Sequence, residues 1–384
     1  LIALGRIFMA TKGPNDAESG LAFRRAAVVC RKLGNPEMLA RTLYSLGITA
    51  ETRADLDAAE AIGEELRVLG ESSRDAGIAI AAHVRLGLVA YYRGGFIAAQ
   101  THLAKALALH ASGRHELRDS AIAPDPHVAA SYLSVTLAHL GDVEQANLYG
   151  ESAVANTKKS GLSSPAYALA LSVWSRTLEV LRDQPRCHAC ARMLVALAEE
   201  QGLSFLLAVG RCQLGWIIGR QGDTEKGLSL LALGVDALRP QGASIRLEVG
   251  KYLLSDVLAR TDRRAEALDL LDEVLDFSRN TGAHWLDAEV HRRKGELLLT
   301  IEVPRPGEAE QAFRQAIDIA RQQSARLFEL RAATSLGRLL RSRGQAGVVR
   351  ELLLPLLGCF GKAAALPDVR EARALLEWAD LALS

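Results

Sequence analysis

The sequence predicts an all-α fold, a superhelical solenoid of about eight antiparallel helix hairpins that ends in a capping helix. Helix-forming Ala, Leu, Arg and Glu are abundant, whereas aromatic residues make up only 5% of the 384 residues, a balance that favours packed helices over sheets. A small residue, usually after Leu, also recurs at a nearly even spacing, between 40 residues (Gly47 to Gly87) and 47 residues (Gly87 to Ser134). Such a period is typical of stacked helical repeats. The eight anchor residues are Gly47, Gly87, Ser134, Ser175, Gly215, Ser255, Gly295 and Gly337.

Each anchor residue belongs to the first of two helices in a repeat. The clearest copy is VRLGLVAYYRGGFIAAQTHLAKALAL (84–109), where Gly87 lies in the first helix, Gly94 begins the turn, and Ala99 and Ala106 line the returning helix. Small residues on both helices allow close approach, and apolar residues three and four apart supply the buried faces. Because one hairpin cannot cover its own apolar face, neighbouring hairpins are expected to stack.

The repeats are expected to form one continuous α-solenoid over residues 1–384. Pro124 and Pro126 bar a continuous helix between the second and third repeats. Pro367 followed by Asp368 suits the start of a last helix. The predicted parts are a partial N-terminal repeat (1–34), repeats one and two (37–109), a linker (110–127), repeats three to eight (128–358) and a capping helix (367–383).

Charge and cysteine content restrict the class of protein. Lys and Arg (46) balance Asp and Glu (45), for a net charge of +1, so neither nucleic acid nor a membrane is an expected partner. Five cysteines are few and odd in number, which indicates a reducing, cytoplasmic setting rather than a disulfide framework. The longest apolar tract (352–360) is too short to span a bilayer, and the first residues lack a signal peptide's apolar core. Because the chain begins at Leu1, we expect it to be part of a longer polypeptide.

Three short motifs resemble chemical sites, and each lacks an essential member. CHAC (187–190) has no second ligand pair of the kind zinc sites require, which favours buried helical cysteines. HELRD (115–119) has an aspartate where a zinc-protease helix has its second histidine, and GDTEKGLS (222–229) has Leu228 where a phosphate loop requires lysine. We therefore predict no catalytic residue, no metal site and no cofactor, and we do not expect an enzyme.

The repeat itself resembles the tetratricopeptide repeat. The match is best at AEQAFRQAI (309–317), where Ala309, Phe313 and Ala316 occupy the second-helix positions of that family's pattern. The period is longer than the family's usual one of about 34 residues, which implies longer helices or loops. The resemblance implies a non-catalytic protein- or peptide-binding fold whose first helices line a concave face.

On that concave face, positions three before and one after each anchor residue are expected to point into the groove, with some contribution from positions four after it. The first half of the groove is then mainly apolar, and the second half carries aromatic and arginine side chains. Both residue types are enriched at interface hot spots, so a protein or peptide segment is the predicted partner. The alternative is that the charged side chains are simply solvated and that Trp216 packs between hairpins. The candidate binding residues are Tyr44, Tyr91, Arg176, Trp216, Tyr252, Asp256, Arg292, Glu296, Arg338 and Arg341.

A second resemblance covers most of the chain. HRRKGELLL (291–299), the segment 308–340 and PDVREARALLEW (367–378) are similar to the C-terminal repeats of large bacterial signalling ATPases, and the likeness extends back through 210–231 and 125–142. Those proteins often carry an adenylate/guanylate cyclase domain and an AAA-type or STAND-type nucleotide-binding domain before the repeats. The resemblance implies a regulatory sensor or scaffold, with an upstream nucleotide-binding or cyclase domain as a further partner. A free-standing adaptor that bridges partners is the alternative.

Overall fold

The structure, a computed structural model, describes residues 1–112, 126–159, 164–363 and 365–384. This part of the chain is all-α, as predicted, and contains nineteen α-helices. In chain order they are α1 (Ile2–Lys12), α2 (Ala17–Leu33), α3 (Pro36–Thr52), α4 (Leu56–Ser73), α5 (Ala76–Tyr92), α6 (Phe96–Ser112), α7 (Pro126–Leu140), α8 (Val143–Lys159), α9 (Ser164–Val180), α10 (Gln184–Glu200), α11 (Ser204–Arg220), α12 (Thr224–Leu238), α13 (Ser244–Leu258), α14 (Arg264–Thr281), α15 (Asp287–Leu298), α16 (Pro306–Gln322), α17 (Arg326–Ser342), α18 (Ala346–Leu357) and α19 (Pro367–Leu383), with a 3-10 helix (Gly358–Ala363) before α19.

The helices pack as consecutive antiparallel pairs, from α1–α2 to α17–α18, and α19 packs on α17 and α18 at the end of the series. All eight anchor residues lie in the first helix of a pair, between α3 and α17. At Gly215 a Cβ atom would lie 2.7 Å from the Gly227 carbonyl oxygen and 2.8 Å from the Leu231 nitrogen. Only a residue without a side chain allows α11 and α12 to approach this closely. The predicted solenoid of helix hairpins is therefore confirmed.

The first hairpin has a helix that was not predicted from the sequence. α1 precedes α2, and a Cβ atom on Gly5 would lie 2.8 Å from the Phe23 ring. Gly5 therefore plays the part of an anchor residue, 42 residues before Gly47. The described chain thus contains nine hairpins rather than about eight.

Helix starts are set by local capping signals. The side chains of Asp16, Asp55, Asp75, Asp183 and Asp223 each accept a hydrogen bond from the backbone N–H three residues later, at the start of α2, α4, α5, α10 and α12. Such caps satisfy donors that the helix itself leaves open. GDTEKGLS is accordingly a repeat turn that leads into α12, as the sequence indicated.

The hairpins wind into a narrow superhelix in which successive turns touch. Helix α1 contacts α11, α3 contacts α13 and α7 contacts α17, each five hairpins further along the chain. The Asn15 side-chain amide donates to the Gly242 carbonyl at 3.0 Å, and the Trp285 backbone N–H donates to the Tyr92 carbonyl at 3.2 Å. Because of these contacts, the concave face is a lumen with walls on both sides rather than an open groove.

The first helices are buried on nearly all sides, whereas the second helices bury one face. Helix α5 buries 14 of its 17 residues, but α16 buries only a stripe of six, which includes Ala309, Phe313 and Ala316. A stripe of this kind is the pattern of a helix at the outer surface. Most side chains inside the superhelix therefore come from the first helices. Within the described residues, no helix is both long enough and apolar enough to cross a membrane.

Candidate ligand-binding lumen

Two cavities in the lumen are lined by the residues that the sequence singled out. The tyrosine cavity, about 690 Å³, lies in the N-terminal half and is named for Tyr44, Tyr92 and Tyr132 in its wall. Helices α3, α5, α7 and α9 and the starts of α11 and α13 surround it, and the α1–α2 turn closes one side. Apolar side chains such as Leu88 and Leu206 make up much of the remaining wall.

A buried ion pair lies in the wall of the tyrosine cavity. Arg85 donates to Glu51 Oε2 at 2.7 Å, and its guanidinium lies 4.9 Å from the centre of the Tyr44 ring. The other carboxyl oxygen of Glu51 is buried without a hydrogen-bond partner. Burial raises the pKa of Glu51 to about 7, although Arg85 opposes the shift. The carboxyl group can therefore gain or lose a proton near neutral pH.

A second polar group in this wall is Arg246, which comes from the next superhelical turn. It is only 7% exposed and donates to the Tyr132 hydroxyl at 3.1 Å, while the Tyr132 and Tyr92 hydroxyls lie 2.8 Å apart. No carboxylate of the described residues lies within ion-pair distance of Arg246. The guanidinium therefore holds a positive charge at the edge of a largely apolar cavity.

The arginine cavity, about 230 Å³, lies in the C-terminal half of the lumen. It is bordered by helices α9, α11, α13, α15, α17 and α19. Its polar walls combine four described carboxylates that pair with arginine (Glu289, Glu296, Asp368 and Glu371), Glu179, and the seven arginines Arg176, Arg182, Arg220, Arg292, Arg293, Arg331 and Arg338.

Most of these arginines belong to a connected network of ion pairs. Arg292 binds both oxygens of Glu289, at 2.6 and 2.7 Å, and Arg331 binds both oxygens of Asp368 at 2.9 Å. Arg331 also donates to the Val180 carbonyl at 2.8 Å, which joins α17 to α9. A pair of hydrogen bonds between one guanidinium and one carboxylate fixes both the relative orientation of the two groups and the distance between them. The network therefore holds the walls of the cavity in one arrangement.

The charges set the protonation of the buried acids. Burial alone would raise the pKa of Glu289, but Arg292, Arg331 and Arg293 hold it well below its usual range. Burial likewise opposes ionisation of Asp256, yet Arg293 and Arg220 lower its pKa to about 2. Glu179 makes no ion pair, and burial raises its pKa to about 7. Glu289 and Asp256 are therefore ionised at neutral pH, whereas Glu179 titrates close to it.

Seven of the ten sequence candidates line one of the two cavities. Tyr44 lines the tyrosine cavity. The arginine cavity is lined by Arg176, Trp216, Tyr252, Arg292, Glu296 and Arg338. All seven occupy positions three before or one after an anchor residue, which share one helix face.

The other three candidates lie elsewhere. Asp256 is behind the wall of the arginine cavity, where it accepts a hydrogen bond from Trp216 Nε1 at 2.7 Å. Tyr91 is fully buried among other rings, with its ring centre 5.7 Å from that of Phe96. Arg341 lies outside the lumen, 5.2 Å from the Trp378 ring centre. Tyr91 and Arg341 follow their anchor residues by four, about 40° around the helix from them, and therefore lie between the anchor residue, which faces the second helix, and the positions that face the lumen.

Several lumen residues were missed in the sequence, among them Glu51, Arg85 and Arg246. For Arg85 the signal was a single charge within an apolar first helix, IAIAAHVRLGLVAYY (78–92). A charge at such a place must face a partner or a cavity. The partner of Arg246 could not be found in this way, since Tyr132 is 114 residues away.

The motifs that resembled chemical sites lie on structural elements or outside the described residues. Cys187 and Cys190 are buried in α10, and burial raises their pKa values to about 12 and about 11, which keeps both thiols protonated and unreactive. HELRD lies outside the described residues, as does most of the linker 110–127. Across the residues that the structure does describe, no three His, Cys, Asp or Glu side chains form a group that could hold a metal ion.

No protein-family model matches the sequence, and no curated protein matches it. Solved structures of similar fold include a Rap protein complexed with competence and sporulation factor (11% identity, 88% of this chain and 98% of that chain, TM-score 0.53). Another is the Rap conjugation gene regulator of the plasmid pLS20 in complex with the Phr* peptide (14% identity, 95% and 97%, TM-score 0.53). A STAND protein with a tetratricopeptide repeat sensor from Pyrococcus horikoshii is less similar (13% identity, 91% and 53%, TM-score 0.43). The first two likenesses show a TPR-like helical-repeat fold; none identifies the cyclase-linked proteins that the sequence resembles.

Proposed function

We propose that this chain is a non-catalytic regulatory module that binds a peptide or an extended protein segment in the tyrosine cavity. The observation that carries the proposal is the cavity itself. At about 690 Å³ it has the size of a ligand site, and like such sites it combines apolar walls with a few polar groups. Leu88, Leu206 and the tyrosine rings would pack against apolar side chains of the ligand.

The polar groups of the wall suit the ends and backbone of a peptide. Arg246 has no carboxylate partner among the described residues and would pair with a carboxylate of the ligand, at a side chain or at the C-terminus. Tyr44 on α3 lines the same cavity and would contact the ligand from the other side. These two groups come from different superhelical turns, so a bound segment would touch both.

Two proteins of the same fold lend support. The Rap protein and the pLS20 regulator were solved with competence and sporulation factor and with the Phr* peptide. Their identity to this chain is low, so the peptide is proposed for this chain because of its own cavity.

Regulation would follow from the position of the ligand between turns. Each hairpin packs on its neighbours, so a small change at each contact adds along the array. A ligand that binds better when α3 and α13 are close would favour the tight superhelix, in proportion to its difference in affinity for the two forms.

A second candidate role is docking to an upstream nucleotide-binding or cyclase domain of the same polypeptide. The first hairpin favours it, because Ile7, Leu21, Val28 and Leu33 are exposed apolar side chains. We propose a cytoplasmic setting for either role, since all five cysteines lie in described segments and none forms a disulfide. An immunoblot of the native protein distinguishes the roles: a band much larger than this chain supports docking within one polypeptide, and a band of its own size supports an adaptor.

A library of synthetic heptapeptides with free carboxyl termini tests the peptide site. We expect the wild-type protein to enrich sequences that combine apolar residues with an acidic group. Ile48 is half-buried in the cavity wall, so Ile48→Trp should fill the cavity and lower the affinity for an enriched peptide at least tenfold. Leu233→Trp is the matched control, since Leu233 is exposed on α12, and should leave the affinity unchanged. Failure to enrich any common sequence, or equal affinity of Ile48→Trp, would reject the site.

A further inference from the structure

The arginine cavity contains a positive charge that no carboxylate of the described residues pairs with. Six of its seven arginines have a carboxylate within 4 Å: Arg182, Arg220, Arg292, Arg293, Arg331 and Arg338. Arg176, on α9, is the exception among the described residues of this wall. The positive charges of the cavity wall are therefore mostly paired with carboxylates, and one arginine has no such partner among the described residues.

Arg176 is held in place by packing rather than by charge. It is 6% exposed, and its guanidinium carbon lies 5.8 Å from the centre of the Trp285 ring. Glu179 lines the same cavity but lies outside ion-pair distance. Since a guanidinium does not lose its proton in a protein, Arg176 carries its full charge where water is scarce. A buried charge without a partner is costly, which suggests that another group neutralises it.

Two neighbouring arginines of the wall are already paired. Arg220 and Arg293 both line the cavity and bind Asp256 through their terminal nitrogens, while Arg293 Nε lies 3.5 Å from Glu289 Oε1. Arg176 is therefore the one cation of this wall without a carboxylate partner among the described residues.

We propose that the arginine cavity is a binding site for a small oxyanion, a phosphate or a carboxylate group, anchored by Arg176. A planar guanidinium matches the spacing of two oxygens of either group. The volume of about 230 Å³ is several times the roughly 30 Å³ that one water molecule occupies in the liquid, so a compact anion fits. The site is separate from the tyrosine cavity and does not depend on a peptide ligand there.

Thermal unfolding tests the site with inorganic phosphate and malonate as probes and sodium chloride at equal ionic strength as the reference. A ligand that binds only the folded state raises the midpoint in proportion to its concentration over its dissociation constant. We expect a saturable rise in the wild-type protein with at least one probe. A response to phosphate alone assigns a phosphoryl group, and a response to malonate alone assigns a carboxylate.

Arg176→Gln should lower the affinity for the effective probe at least tenfold by calorimetry. Without probe it should remain folded and be no less stable than the wild type, because it removes an unpaired buried charge. Arg341→Gln is the matched control: it removes an arginine that also packs against a tryptophan ring, but outside the lumen, and should keep the wild-type response.

If Arg176→Gln does not fold, Arg176→Lys retains the charge but not the planar fork, and should bind the probe more weakly than the wild type. A wild-type response no greater than that to chloride would overturn the proposal. An undiminished response in the Arg176 variant that folds would do the same. Neither result bears on peptide binding at Ile48, so the two proposals fail separately.

Discussion

The tyrosine cavity and the arginine cavity are built from the same positions of successive first helices, yet the pKa of a buried carboxylate is raised in the first and lowered in the second. Glu51 has one arginine partner and one unpartnered oxygen, and its pKa rises to about 7. Glu289 has Arg292 on both oxygens and Arg331 at 3.6 Å, and its pKa falls well below the usual range. One cation does not offset the desolvation free energy of a buried, ionised carboxylate, but several cations do.

The difference separates a rigid region from an adjustable one. In the arginine cavity the ion pairs join α9, α15, α17 and α19, so the walls are tied across a superhelical turn. In the tyrosine cavity the turns meet through hydrogen bonds rather than ion pairs, such as those of Asn15 with Gly242 and Tyr132 with Arg246. We therefore expect movement of the superhelix to be concentrated in its N-terminal half.

The largest effect is expected from breaking the network of the arginine cavity. Arg331→Met keeps most of the side-chain volume but leaves Asp368 and the Val180 carbonyl without their shared donor, and should lower the free energy of unfolding by about 3 kcal/mol. Urea unfolding at pH 7 measures the change. Arg338→Met is the control, because Arg338 pairs with Glu371 at the exposed rim and should cost less than about 1 kcal/mol. Equal losses in the two variants would show that the network does not tie the turns together.

A smaller effect, which depends on pH, is expected at Glu51. Its folded-state pKa of about 7 lies above the ordinary value of 4.5, so the folded state binds the proton more tightly than the unfolded state. The corresponding stability is present in full below about pH 4.5 and is lost as the pH rises through 7, with an upper bound of roughly 3 kcal/mol. Glu179 contributes in the same direction.

Urea unfolding of Glu51→Gln between pH 5 and pH 8 measures that contribution. The glutamine cannot titrate, so the decline of stability with pH should be markedly shallower than in the wild type. Glu60→Gln is the control, because Glu60 pairs with Arg93 at the exposed surface and should leave the slope unchanged. A wild-type slope in Glu51→Gln would mean that Arg85 keeps the carboxylate ionised throughout.

Much of the fold could be predicted because the signals that set it are local. The close approach of α11 to α12 requires a small residue at one position, and the same requirement recurs in every first helix. The same register placed Tyr44, Trp216 and Arg292 on the lumen. The helix α1 was missed because its anchor, Gly5, begins the series and has no earlier copy to complete the spacing.

The closure of the lumen could not be predicted, because the pitch of a superhelix is the sum of small rotations at every hairpin. A sequence does not show that Val180 will accept a hydrogen bond from Arg331, 151 residues away. For the same reason the sequence predicted a concave groove without showing its closure, and its arginines were interpreted as candidates for binding a partner. Most of them instead bind carboxylates of the chain itself, and only the contacts show that Arg176 does not.

The smallest effect is expected in the tyrosine cavity, where Tyr132 stands between Tyr92 and Arg246. Tyr132→Phe removes the hydroxyl that Arg246 donates to and leaves that guanidinium without a protein acceptor, so it should cost about 1–3 kcal/mol. Tyr92→Phe removes a neutral hydrogen bond at 2.8 Å but leaves the Arg246 contact intact, and should cost only about 0.5–1.5 kcal/mol. Urea midpoints of the two variants form a matched pair, since each loses one hydroxyl from the same buried cluster. If Tyr132→Phe costs no more than Tyr92→Phe, then Arg246 is already solvated within the cavity and does not need the tyrosine. In that case a ligand carboxylate would have to displace water from Arg246, and the affinity of an acidic peptide should depend little on the residue at position 132.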